Sequence, residues 1–131
     1  MKFQFPLAVG LLLCSVGRSW AYPPQVDRLL DAMTQVESGG NNRAVGDGGQ
    51  ARGPLQIHRA YCKDTGGDYS RCWEPEYSRE IVVKYWERYC PKALSKGDLE
   101  TLARTHNGGP QGGHSMRTLK YWWRVQAELE N

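Results

Sequence analysis

The strongest constraint on this chain is a run of apolar residues at helical spacing that ends on two glycines. Val26, Leu29, Leu30, Met33 and Val36 recur three and four residues apart, so an α-helix would gather them into one stripe. Pro23-Pro24 can open that helix and Gly39-Gly40 can close it. Such a stripe needs partners, and the sequence supplies them. Ile81, Val82, Tyr85, Trp86 and Tyr89 mark a second helix, entered at Glu74-Pro75-Glu76 and stopped by Pro91. Asp98 is placed to cap a third, carrying Leu99, Leu102 and Ala103. Thr118 to Leu129 reads as the last helix, with Leu119, Trp122, Trp123 and Val125 as its apolar residues. Asn107-Gly108-Gly109-Pro110 and Gly112-Gly113 read as the loop before it. Asn41 to Arg52 is polar and Gly-rich, a loop or short hairpin. Pro54-Leu55-Gln56-Ile57 then returns the chain to the core, and a short helix follows to about Cys62. The expected fold is α+β and predominantly helical, with one small β element near residues 44–57.

Residues 1–21 read as a signal peptide: a basic Met1-Lys2 start, an apolar run from Phe3 to Val16, and a small-x-small exit at Ser19-Trp20-Ala21. The run is too short for a stable membrane span. Residues 22–131 are enough for one core and one domain. Without Lys2 and Arg18, the 17 basic residues fall to 15 against 14 acids. That balance excludes a nucleic-acid partner and permits an anionic one. Export implies an oxidising compartment, so the cysteines outside the leader, Cys62, Cys72 and Cys90, are read first as disulfide material. Cys62 and Cys72 bracket a Gly-rich loop, Asp64 to Ser70, and are the favoured pair. Cys90 is then a free thiol or an intermolecular link. Adding His58 allows a zinc site to be drawn, but the spacing matches no standard zinc pattern, and no metal or other cofactor is expected.

Glu37 carries the chemical interest. It follows Val26 by 11 residues and Met33 by four, which places it near the apolar side of the first helix. Burial there, and the negative helix end, would disfavour its charged form. A carboxyl that keeps its proton near neutral pH is what glycosidic cleavage requires, because the leaving oxygen must be protonated. From position alone an ordinary solvated helix-end glutamate is the favoured reading, since perturbed acids are rarer than solvated ones.

The surrounding motifs change that balance. Glu37-Ser38-Gly39-Gly40, Gly53-Pro54-Leu55-Gln56-Ile57 and Thr105-His106-Asn107-Gly108-Gly109-Pro110 occur in that order. Together they resemble the invertebrate-type lysozymes, the family that includes the destabilases. Tyr85-Trp86-Glu87-Arg88-Tyr89 and Tyr121-Trp122 are similar to its aromatic stretches, so the resemblance covers roughly residues 30–126. It implies a lysozyme-like domain that hydrolyses the β-1,4 bonds between N-acetylmuramic acid and N-acetylglucosamine in peptidoglycan. It implies Glu37 as general acid. It implies an aspartate ahead of the Gly-x-x-Gln-Ile segment as nucleophile or charge stabiliser, and Asp47 is the one acid between Glu37 and Ile57. As an Asp-Gly pair, Asp47-Gly48 also fits a plain turn. The family is usually rich in cysteine around the catalytic segment, whereas residues 37–57 here have none. The core must then hold the fold, and four tryptophans beyond the leader are expected to help fill it.

Gln56, His106, Asn107 and Gly108 lie inside the matching motifs and are expected to bind substrate, as are Tyr61 and Tyr121, although each tyrosine also suits a core. Some destabilases have isopeptidase activity through serine and histidine, for which Ser38 and His106 are the residues available. The first two motifs also look like those of lytic transglycosylases, which would give 1,6-anhydro products. A secreted glycan-binding protein without activity is the third reading. The expected partners are peptidoglycan strands or chitin oligosaccharides, and the protein is expected to be a secreted monomer.

Overall fold

The computed structural model describes residues 22–131; the leader reading lies outside them. Helix α1 spans Gln25–Ser38 and buries Val26, Leu29, Leu30 and Met33, as its spacing predicts. Gly39 closes it in the left-handed conformation, its N–H donating to the Gln35 carbonyl. Three two-residue strands follow: β1 Val45–Gly46, β2 Ala51–Arg52 and β3 Ile57–His58. They form one antiparallel sheet in the order β1-β2-β3, with Val45 opposite Arg52 and Ala51 opposite His58. This is the small β element expected near residues 44–57. A short α2, Arg59–Asp64, continues directly from β3.

Helix α3, Pro75–Tyr89, buries Ile81, Val82, Tyr85 and Trp86 against α1 and the later helices. Trp86 is fully buried, and its indole N–H donates to the Leu102 carbonyl at 2.8 Å, so the polar end of the ring is satisfied. Pro91 does end α3, but it also occupies the first turn of a helix absent from the sequence reading: α4, Pro91–Lys96. Proline lacks only an N–H that a first turn leaves unpaired anyway. Asp98 caps α5, Leu99–Gly108, by accepting from the Thr101 N–H. Asn107 and Gly108, read as loop, are the last residues of that helix. Two 3-10 turns, Gly112–His114 and Met116–Thr118, lead to α6, Leu119–Leu129.

The core lies between α1, α3, α5 and α6, with Leu55 and Ile57 reaching in from the sheet side. The tryptophans contribute less than their number suggested. Trp86 is enclosed, Trp73 and Trp122 are partly buried, and Trp123 is 59 % exposed. On α6 the inward face is set by Tyr121 and Val125 at i and i+4, and Trp123 falls between them on the outer side.

Candidate active site

Glu37 occupies the last turn of α1, one turn beyond the fully buried Met33. Its side chain is 18 % exposed, and its Oε1 lies 3.3 Å from His106 Nε2 on α5. The His106 side chain is 4 % exposed. Its other ring nitrogen, Nδ1, is 2.9 Å from the Tyr61 hydroxyl. With the Tyr61 O–H donating to Nδ1, the imidazole carries its proton on Nε2 and turns it toward the Glu37 carboxyl, at ion-pair distance rather than in an aligned hydrogen bond.

Aromatic rings fix this row from outside. Tyr61 stacks on Tyr85 of α3 with centroids 3.8 Å apart, and meets the His106 ring edge-on at 5.3 Å. Burial, then the neighbouring Tyr85, Cys90 and Glu37, push the Tyr61 phenol well above its usual range. Tyr121 approaches Glu37 from α6. Its hydroxyl is enclosed without a hydrogen bond of good geometry. Burial, the Glu37 charge and a marginal hydrogen bond to that carboxyl push it well above the usual range too. Both tyrosines therefore stay neutral beside the acid over the physiological range. Arg124, one turn on from Tyr121, reaches the Val36 carbonyl at 3.4 Å and is the nearby cation that favours Tyr121 ionisation.

The residues around Glu37 also tie the helix end to the hairpin. Ser38 Oγ donates to the Pro54 carbonyl at 2.8 Å and lies 3.1 Å from the Thr34 carbonyl; it accepts from the Gly40 N–H. It makes no bond to His106, which is committed to Glu37 and Tyr61, so the serine–histidine pair needed for isopeptidase chemistry is not assembled. Gln56 lies at positive φ, and its amide N–H groups donate to the Ala44 and Gly53 carbonyls at 3.1 and 3.0 Å. The residue expected to bind substrate thus spends both donors on shaping the loop. Gly53 must be glycine: a Cβ there would stand 1.9 Å from the Cys72 carbonyl oxygen.

Asp47 sits at the tip of the β1–β2 hairpin, at φ 48 in a 3-10 turn with Gly48 and Gly49. Asp tolerates that left-handed backbone better than most residues. Its side chain is 70 % exposed, and Oδ2 lies 2.8 Å from His58 Nε2 on β3. His58, considered from sequence only for a zinc site, is the partner that fixes this carboxylate. The pairing joins residues 11 apart across a hairpin whose register the sequence left open. Asn107 is exposed beside His106. Gly108 packs closely on Thr118, where a Cβ would meet the threonine methyl at 2.4 Å.

The bridge favoured between Cys62 and Cys72 is not formed. Both are buried free thiols with sulfurs 3.8 Å apart, against about 2.05 Å for a disulfide. Burial, then the adjacent Cys62 charge, pushes the Cys72 thiol up to about 12. Cys90 is a partly exposed free thiol. Among the described residues, no group of three or more His, Cys, Asp or Glu is arranged to hold a metal ion. A concavity of about 910 Å³ opens between α1 and α3, lined by Asp27, Asp31, Glu76, Arg79, Glu80 and other residues, and Glu37 is not part of it. Arg79 already pairs with Asp27 and Asp31 there. At the Glu37 row, by contrast, a mostly buried carboxyl, an imidazole and two neutral phenols converge.

Solved structures define the class. The chain superposes on the Tapes japonica lysozyme with a TM-score of 0.66 and 36 % identity, covering 76 % of this chain and 86 % of that one. It matches the crystal structure of Aeromonas hydrophila PliI in complex with Meretrix lusoria lysozyme with a TM-score of 0.67 and 32 % identity, over 76 % of this chain and 87 % of the matched chain. The domain is thus a lysozyme-like α+β fold. The invertebrate-type lysozyme of Ruditapes philippinarum is 36 % identical over 107 residues, covering 76 % of this chain and 78 % of that protein. The chain belongs to the invertebrate-type lysozyme family. No protein-family model matches the sequence.

Proposed function

We propose that the protein is a muramidase that hydrolyses the β-1,4 bonds between N-acetylmuramic acid and N-acetylglucosamine in bacterial peptidoglycan. The observation that carries the roles is the Tyr61–His106–Glu37 row, with its contacts of 2.9 and 3.3 Å. In this reading Glu37 is the general acid. His106 engages Oε1, which leaves Oε2 to hold the proton and pass it to the glycosidic oxygen. As the bond breaks, Glu37 becomes a carboxylate, and the Nε2–H of His106 stabilises the new charge. Tyr61 keeps the imidazole in the required tautomer. Asp47 is the second carboxylate and stabilises or traps the oxocarbenium-like sugar. His58 holds Asp47 in place while its exposure leaves it accessible to substrate. Asn107, exposed next to His106, is a substrate contact.

The proposal extends to an exported extracellular monomer acting on bacterial walls in defence or digestion, with chitin oligosaccharides as a weaker substrate. It also extends to a Cys62–Cys72 bridge formed after export, the two buried sulfurs lying 3.8 Å apart as free thiols. Among the described residues, no helix is long and apolar enough to cross a membrane.

Product analysis on purified peptidoglycan tests the reading, with the wild type, Glu37→Gln and Asp47→Asn. Reducing muropeptides released by the wild type and lost with Glu37→Gln are expected. Wall lysis retained by Glu37→Gln overturns the acid assignment. Full activity of Asp47→Asn with 1,6-anhydro products overturns the hydrolase in favour of a lytic transglycosylase.

A further inference from the structure

We infer that the outer face of α6 and the turn before it form a docking surface for an anionic phospholipid bilayer. Trp123 is 59 % exposed and Met116 80 % exposed, two of the large apolar side chains the fold leaves in water. Lys120, Trp123 and Ala127, at i, i+3 and i+7, make one exposed stripe of α6, and Arg124 lies beside it. Met116 and Arg117 occupy the 3-10 turn that runs into the N-terminus of the same helix.

Charge is as one-sided as exposure. Residues 112–127 contain Arg117, Lys120 and Arg124 and no acid, in a domain otherwise near neutrality. Among the described residues none of these cations has a carboxylate partner; Arg124 reaches only the Val36 carbonyl. The first acid on α6, Glu128, lines a shallow depression with Arg28 and Asp31 of α1, and Glu130 follows at the C-terminal cap, so the cations hold the N-terminal two turns of the stripe and the acids its far end. The mixture selects the occupant. A second copy of the chain would bring three cations against three cations. A neutral glycan gives the cations nothing to do. A phosphate-rich wall polymer would pair the cations but leave Met116 and Trp123 in water. An anionic bilayer answers both parts: headgroup phosphates for Arg117 and Lys120, and the interfacial layer for the indole and the thioether. At 11 residues, about 16 Å, α6 lies on such a surface rather than crossing it. Tyr121 faces Glu37 from the opposite side of this helix, so docking leaves the acid's surroundings untouched.

Co-sedimentation of the full chain with vesicles tests the inference, using phosphatidylglycerol or phosphatidylcholine in low and high salt. Every variant carries the same residues 1–21, so differences between variants report on the α6 face. Binding to phosphatidylglycerol, weak on phosphatidylcholine and weakened by salt, is expected. Lys120→Glu should lower it about thirtyfold, at about fivefold per unit of charge lost near the surface. Trp123→Ser should lower it about tenfold. Lys92→Glu, the same charge change on the exposed start of α4, should leave binding within about twofold. Circular dichroism and release of reducing ends from purified wall confirm that each variant is folded, and these readouts fail separately from vesicle binding. Equal losses in Lys120→Glu and Lys92→Glu would reduce the effect to net charge and overturn the site. Absence of vesicle binding, or binding to purified wall polymer alone, would overturn the lipid assignment.

Discussion

Glu37 and Asp47 are ten residues apart and have opposite surroundings. Glu37 ends a 14-residue helix, is 18 % exposed, and is held by an imidazole that is itself held by a phenol. Asp47 caps a hairpin of two-residue strands, is 70 % exposed, and has one partner, His58, whose side chain is 45 % exposed. The contrast suits two different tasks. A group that must deliver a proton gains from a dry, fixed setting in which its hydrogen bonds keep their strength. A group that offers negative charge to a passing cation needs access, and an exposed ion pair contributes little stability to give up.

That contrast can be broken at several points. Glu37→Gln keeps the shape and removes the transferable proton, so wall-lytic kcat/KM should fall by about a thousandfold with the circular dichroism unchanged. Asp47→Asn should cost about a hundredfold if the carboxylate acts on the sugar; a loss under about threefold would leave Asp47 as a turn residue. His106→Ala removes the Glu37 anchor and should cost about thirtyfold, with a shift in the alkaline limb of the pH–rate profile that a purely structural defect would not give. His58→Ala frees Asp47 without unpacking anything and should change activity by only about threefold.

The smallest effect at neutral pH comes from the phenols around Glu37. Burial pushes Tyr85 up to about 12, and Tyr61 and Tyr121 are raised as well. In the unfolded chain these groups titrate near pH 10, so their stabilising contribution is complete below about 10 and is lost as the pH rises through the folded values. Stability measured by thermal melts should be flat to about pH 8, then fall first through the raised Cys72 thiol and, above about pH 10, through the phenols. Phenolate absorbance should rise in two stages, exposed tyrosines first. If Tyr61 ionises in the first stage, the dry setting assigned to Glu37 is wrong.

Much of the helical frame was legible because its signals are local. The Val26–Met33 stripe and Gly39 located α1 and put Glu37 at the edge of its buried face, and Asp98 marked the cap of α5. What escaped depended on contacts distant in sequence. Nothing near residue 61 announces that its hydroxyl meets His106, 45 residues away. The Asp47–His58 pair needs the register of β1, β2 and β3, which two-residue strands barely encode. Gln56 lies inside a matching motif, but its positive φ and its two carbonyl partners give it a structural part that a motif cannot express. The tryptophans beyond the leader are expected together to help fill the core, but helical phase relative to Tyr121 and Val125 puts Trp123 outside it. Pro91 was read as a stop because the same residue serves both helix ends and beginnings.

The Ser38 hydroxyl fastens the end of α1 to the hairpin by donating to the Pro54 carbonyl. It does not act alone: the Tyr69 hydroxyl donates to the Gln50 carbonyl at 2.6 Å, close to the hairpin tip, and β2 pairs with β3, whose Ile57 is fully buried. A strip of chain with only two-residue strands is thus moored at both ends. The two carboxyls stand on one frame, and the gap between them is a dimension of the fold.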